Sequence, residues 1–97
     1  MVKYAWFARL QAKPGKEKEV EAFLEGALAL AKKEKATRNW YAVKLGPSVF
    51  AIFDTFNDEA ARDAHLQGEI AKGLLAKAGE WLARPPDIIK APVIAAK

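Results

Sequence analysis

Two stretches of this chain are apolar on both faces of a strand, and 97 residues are too few to cover both faces from within. In Val49-Phe50-Ala51-Ile52-Phe53, side-chain alternation puts Val49, Ala51 and Phe53 on one side and Phe50 and Ile52 on the other. Val2 to Leu10 behaves alike: Val2, Tyr4, Trp6, Ala8 and Leu10 share a face, and Ala5 and Phe7 lie opposite, between Lys3 and Arg9. A sheet with one wet face reads apolar-in and polar-out. This pattern instead predicts helices over one face and a second subunit over the other, a homodimer able to enclose a small-molecule pocket.

Composition points the same way. The length fits one domain, residues 1–97. The apolar fraction is 52%, but 20 residues are alanine, so one copy builds a thin core. The net charge of +4 is largely helix patterning, with Glu17, Glu19 and Glu21 where a helix begins and Lys32, Lys33 and Lys35 where it ends. That distribution describes a solvated helix, so no nucleic acid is expected as a partner. No cysteine is present, which excludes disulfides and thiol chemistry. Met1-Val2-Lys3-Tyr4 leads straight into a strand, so no signal peptide is expected, and Ala27 to Ala31 is too short to span a bilayer. The expectation is a cytoplasmic protein with no membrane partner.

The predicted elements run as follows. Strand one covers Val2 to Gln11, and Lys13-Pro14-Gly15 forms a turn in which Gly15 could cap helix one, Lys16 to Lys35. That helix carries Val20, Phe23, Leu24, Ala27, Leu28 and Ala31 as one apolar stripe. Strands Asn39–Leu45 and Val49–Phe56 form a hairpin through Gly46-Pro47-Ser48. Asn57 is the expected cap of a helix reaching Gln67, Gly68 breaks it, and a further helix covers Glu69 to Arg84 before Pro85-Pro86. Ile88 to Ala95 is the last strand, with Pro92 marking an edge. This order specifies an α+β, ferredoxin-like split βαβ antiparallel sheet with helices on one face, and two such sheets face to face make a dimeric α/β barrel.

His65 is the only histidine and the only side chain that titrates near neutrality unaided. Helical spacing groups it with Ala60, Ala61 and Ala64, away from Asp58, Glu59, Arg62 and Asp63, so it points inward. In apolar surroundings it stays neutral, the form a general base needs. It could equally be a buried histidine bonded to a backbone carbonyl. Asp54 could orient His65, or else cap the strand–helix junction or pair with Arg62 or Arg38. Trp6, Trp40, Tyr41, Phe50 and Phe53 could line a pocket for a flat ring or simply fill the core. His65 and Glu69 have metal-ligand spacing, but two ligands are too few for a metal centre. No flavin, nicotinamide or nucleotide signature is present, so no cofactor is expected.

Asn39-Trp40-Tyr41-Ala42-Val43, Phe50-Ala51-Ile52-Phe53-Asp54-Thr55-Phe56, Asp58-Glu59-Ala60-Ala61-Arg62 and Ala64-His65-Leu66, in this order and before a Pro-Pro stop, resemble the antibiotic biosynthesis monooxygenase family over nearly the whole chain. The resemblance implies a ferredoxin-like dimer with a pocket in each subunit between sheet and helices, and His65 as the position of the family's histidine. Relatives oxidise quinols or polyketide phenols with dioxygen and no cofactor, while others degrade haem or act on small signalling molecules. Haem degraders use an Asn on the first strand and a Trp before the histidine. Here the strand reads Tyr4-Ala5-Trp6-Phe7 and no Trp lies between Phe56 and His65, which disfavours haem. The tryptophan of quinol-type members at the strand–helix junction is replaced by Phe56 or Asn57.

Two functions follow. One is a cofactor-independent monooxygenase of a small phenol or hydroquinone, with catalytic His65 as general base and Trp6, Trp40, Phe53, Asp54 and Phe56 around the ring. The other is a non-catalytic dimer that binds a small aromatic or lipid-like ligand. RNA-recognition modules share the element order, but Pro47-Ser48-Val49 before Phe50-Ala51-Ile52 meets their third-strand pattern only in part.

Overall fold

Period-two alternation and helical stripes resolve into β1 (Tyr4–Gln11), α1 (Glu17–Lys33), β2 (Thr37–Lys44), β3 (Val49–Phe56), α2 (Glu59–His65), α3 (Glu69–Trp81) and β4 (Asp87–Pro92). The computed structural model describes residues 2–97. The strands form one sheet in the order β2-β3-β1-β4, with every neighbouring pair antiparallel. The helices cover one face, and the fold is the ferredoxin-like α+β arrangement expected from the element order.

Local chemistry sets the boundaries. Gly15 has φ of 87°, the left-handed region that glycine enters without strain, and its N–H donates to Glu17 Oε1 at 2.9 Å. It therefore makes the turn and does not cap α1, whose N-cap is Lys16 with no side-chain bond. Asp58, not Asn57, caps α2, its Oδ1 accepting from the Ala61 N–H at 2.7 Å. α3 stops at Trp81, short of Arg84, because Leu82 turns into extended backbone and bridges to Ala12, burying its side chain. β4 ends at Pro92, short of Ala95, on an edge where a missing N–H leaves no ladder bond unmade.

Leu10, Val20, Leu24, Phe50, Ile52, Leu74 and Leu82 form the core between sheet and helices. A second cluster of Ala27, Ala31 and Ile70 joins α1 to α3. Leu28, read as part of the α1 stripe, is exposed, because α1 does not reach over the β2 edge. The other sheet face is bare. Phe7, Phe53 and Tyr41 lie side by side in register across three strands there, with Ile89 opposite Phe7, and Tyr41, Val43 and Ile89 are exposed. No helix among the described residues is long and apolar enough to cross a membrane.

Candidate functional site

On the helix-covered face, Trp6, Asp54 and Trp40 stand in one cross-strand row, with Asp54 paired to Trp6 on one side and Trp40 on the other. Residues in such a row are direct neighbours, so a carboxylate is flanked by two indoles. His65, the last residue of α2, lies above this row. Its Nε2 lies 2.9 Å from Asp54 Oδ2, and the two side chains are 7% and 3% exposed. Phe56, fully buried, packs its ring against the imidazole with centroids 5.2 Å apart.

The second ring nitrogen also meets a carboxylate. Nδ1 lies 3.3 Å from Oε2 of Glu34, the residue that ends α1. Both atoms are buried without a well-aligned hydrogen bond, so this contact is chiefly Coulombic. Burial alone would pull the pKa of His65 down. The hydrogen bond and charge of Asp54, followed by the charge of Glu34, outweigh that effect, and His65 titrates above its ordinary 6.5. The expectation of a neutral histidine in apolar surroundings is thus corrected: two carboxylates stabilise the imidazolium.

A cavity of about 90 Å³ lies between sheet and helices, walled by Trp6, Trp40, Ile52, Asp54, His65, Leu66, Ile70 and Leu74, with Leu75 and Ile88 also in its lining. Besides His65 Nδ1, two buried polar atoms of wall residues have no protein hydrogen-bond partner: Nε1 of Trp40, which can only donate, and Oδ1 of Asp54. Trp6 differs, since its Nε1 donates to the Arg62 carbonyl at 2.6 Å.

The structure brings His65, Asp54, Trp6 and Trp40 together and places Phe56 behind the imidazole, off the cavity wall. Phe53 is a correction. It follows Ile52 and precedes Asp54, so alternation points it to the bare sheet face, away from the cavity. Arg62 is another, because it is buried beside His65 while Ala60 and Ala64 are exposed. Its guanidinium lies 5.3 Å from the Tyr4 ring and 5.5 Å from the Trp6 ring and pairs with Glu59 and Asp63, which compensates the buried charge. Sequence reasoning missed Glu34. The one signal was an acid in the basic run Lys32-Lys33-Glu34-Lys35, at the helix end where the dipole disfavours it. Among the described residues no group of three or more His, Cys, Asp or Glu could hold a metal ion.

No family model and no curated protein matches the chain. Solved structures do. A protein of unknown function from Nitrosomonas europaea is 52% identical, with a TM-score of 0.97 over 100% of this chain and 94% of that one. Rv0793 from Mycobacterium tuberculosis is 22% identical, with a TM-score of 0.84 over 98% of this chain and 99% of its own. An antibiotic biosynthesis monooxygenase is 16% identical, with a TM-score of 0.80 over 95% of this chain and 99% of its own. The chain therefore belongs to one family with the Nitrosomonas europaea protein, and its fold is that of the antibiotic biosynthesis monooxygenase-like proteins.

Proposed function

We propose that the chain is a cofactor-independent monooxygenase of a small phenol or hydroquinone, acting in the cavity between Trp6, Trp40 and the Asp54–His65 pair. The observation that carries this reading is the unpartnered donor–acceptor couple in an apolar wall, Trp40 Nε1 and Asp54 Oδ1. A hydroxyl group within reach of both would satisfy them, accepting from the indole and donating to the carboxylate. A carbonyl or carboxylate cannot donate, and an ammonium cannot accept. The volume of 90 Å³ falls below the roughly 150 Å³ hole that admits benzene. A single ring then enters hydroxyl first, with its far side against Leu75, which is 54% exposed, and Ile88 at the cavity's outer edge.

The chemistry uses the substrate as its own reductant. Once His65 has lost its extra proton, it and Asp54 form one base. The phenolic proton enters at Oδ1, a half-turn of the carboxyl presents it to His65 Nε2, and the pair ends as carboxylate and imidazolium. The phenolate is electron-rich enough to reduce dioxygen. A ring C–H bond ortho or para to that oxygen breaks, the ortho one in a hydroquinone because its para carbon already carries oxygen. One atom of dioxygen becomes the new ring oxygen of the quinone or hydroxyquinone, and the other leaves as water. Trp40 Nε1 donates to the phenolate oxygen as charge develops.

A homodimer through the bare sheet face accompanies this reading, supported by the apolar patch of Phe7, Tyr41, Phe53 and Ile89. A binding-only role is the second reading, favoured by one observation: carboxylates occupy both nitrogens of His65. Dioxygen uptake by metal-stripped protein separates the two. The oxygenase consumes dioxygen with single-ring hydroquinones and not with their dimethyl ethers. A binder retains the hydroquinone unchanged beyond its spontaneous oxidation.

A further inference from the structure

Asp54, His65 and Glu34 form a line running from the cavity wall toward solvent. Their side chains are 3%, 7% and 27% exposed in that order. Asp54 lines the cavity, and Glu34 lines a separate surface groove beside Lys32, Lys35 and Arg38. His65 spans the two, with one nitrogen toward each carboxylate.

We propose that Glu34 is the solvent end of a proton relay, Asp54–His65–Glu34, that carries the proton taken from the substrate hydroxyl away from the inner end of the cavity, whose mouth the substrate ring fills. The proposal rests on reading the site as one that ionises a phenol. One proton enters at Asp54 and leaves His65 in its imidazolium form. Nδ1 then gives one proton to Glu34 Oε2, and rotation of that carboxyl carries the proton from its buried position to water. His65 is left neutral with its proton on Nε2, and a flip of the ring restores the tautomer that accepts from Asp54.

Three features support this route over a purely structural pairing. The Nδ1–Oε2 distance of 3.3 Å is short enough for transfer after a small rotation of the Glu34 carboxyl, and both atoms are free of competing hydrogen bonds. Glu34 stands at the C-terminal end of α1 and lines the surface groove, so a proton handed to its carboxyl is within reach of solvent. Gly68 leaves the space that Glu34 uses, because a Cβ at position 68 would come within 2.9 Å of Oε1. The groups facing His65 are Asp54 from β3 and Glu34 from the end of α1. The nearest cation on its own helix, Arg62, is engaged by Glu59 and Asp63.

Glu34→Gln keeps the shape and removes the proton acceptor. Two readouts are needed. In nitrogen-15 NMR, the variant should show a lower His65 titration midpoint and ring N–H exchange with water slowed by about tenfold or more. In dioxygen uptake, its kcat should fall by a similar factor at low buffer concentration, with KM unchanged, and recover as imidazole buffer is added, while the parent ignores the buffer. Unchanged ring exchange in Glu34→Gln overturns the relay, as does a kcat equal to the parent's without added buffer. A parent that consumes no dioxygen overturns the oxygenase reading alone, because ring exchange still decides the relay.

Discussion

Glu34 Oε2 faces His65 Nδ1 at 3.3 Å, so the carboxylate at the unfavourable end of α1 is offset by an imidazolium at the end of α2. With Asp54 on the opposite nitrogen, this contact ties α1, α2 and β3 together through one titrating ring. The sign of its pH dependence follows. The folded-state pKa of His65 lies above its unfolded value. Its contribution to stability is therefore complete below about pH 6.5 and is lost as pH rises through the folded value. Urea unfolding between pH 6 and 9 should show the parent weakening through that window, and His65→Gln should remove that component of the slope. An identical slope in both proteins contradicts the pairing.

Gly68→Ala tests the packing that seats Glu34. The backbone there is extended and accepts alanine, which alone favours folding by about 0.4–1 kcal/mol. The new Cβ would sit 2.9 Å from Glu34 Oε1 and 3.2 Å from the His65 carbonyl oxygen. Glu34 must swing away, so the titration midpoint of His65 should fall while net stability changes by less than about 1 kcal/mol. Histidine NMR titration paired with thermal unfolding checks both.

Trp40→Phe removes the unpartnered indole donor while keeping a ring in the wall. A neutral hydrogen bond contributes about 1 kcal/mol, so hydroquinone affinity should drop roughly fivefold, with toluene affinity unchanged. Calorimetric titration of both ligands would decide it, and equal losses for both would mean that the indole acts only by its bulk.

Phe53→Glu places a charge in the centre of the bare sheet face without touching the cavity. Sedimentation analysis should find the parent dimeric and the variant monomeric, since an unpaired charge is not tolerated in an apolar interface. A monomeric parent, or a variant that stays dimeric, removes this face as the interface.

Much of this was legible before folding. Alternation in β3 assigned Phe50 and Ile52 to one face and Phe53 to the other, and the same parity rule, carried one residue further, separates Asp54 from Phe53. Grouping both as ring-binding residues overlooked it. Inward-facing His65 followed from helical spacing, but its charge state did not, because that depends on carboxylates supplied by β3 and the end of α1. Arg62 was misplaced for a related reason. Its guanidinium is buried only because Tyr4 and Trp6, far away in sequence, offer ring faces to lie on.

The central claim, that Asp54 and His65 act as one base on a substrate hydroxyl, is tested most directly by the pH profile of dioxygen uptake with a single-ring hydroquinone, measured for the parent and for His65→Ala, each corrected for spontaneous oxidation. The parent's kcat/KM should rise with pH to a plateau whose midpoint lies above 6.5 and matches the NMR titration of its histidine. His65→Ala should lose both the inflection and at least about a hundredfold in rate. Equal rates and a shared profile in the two proteins would contradict the account.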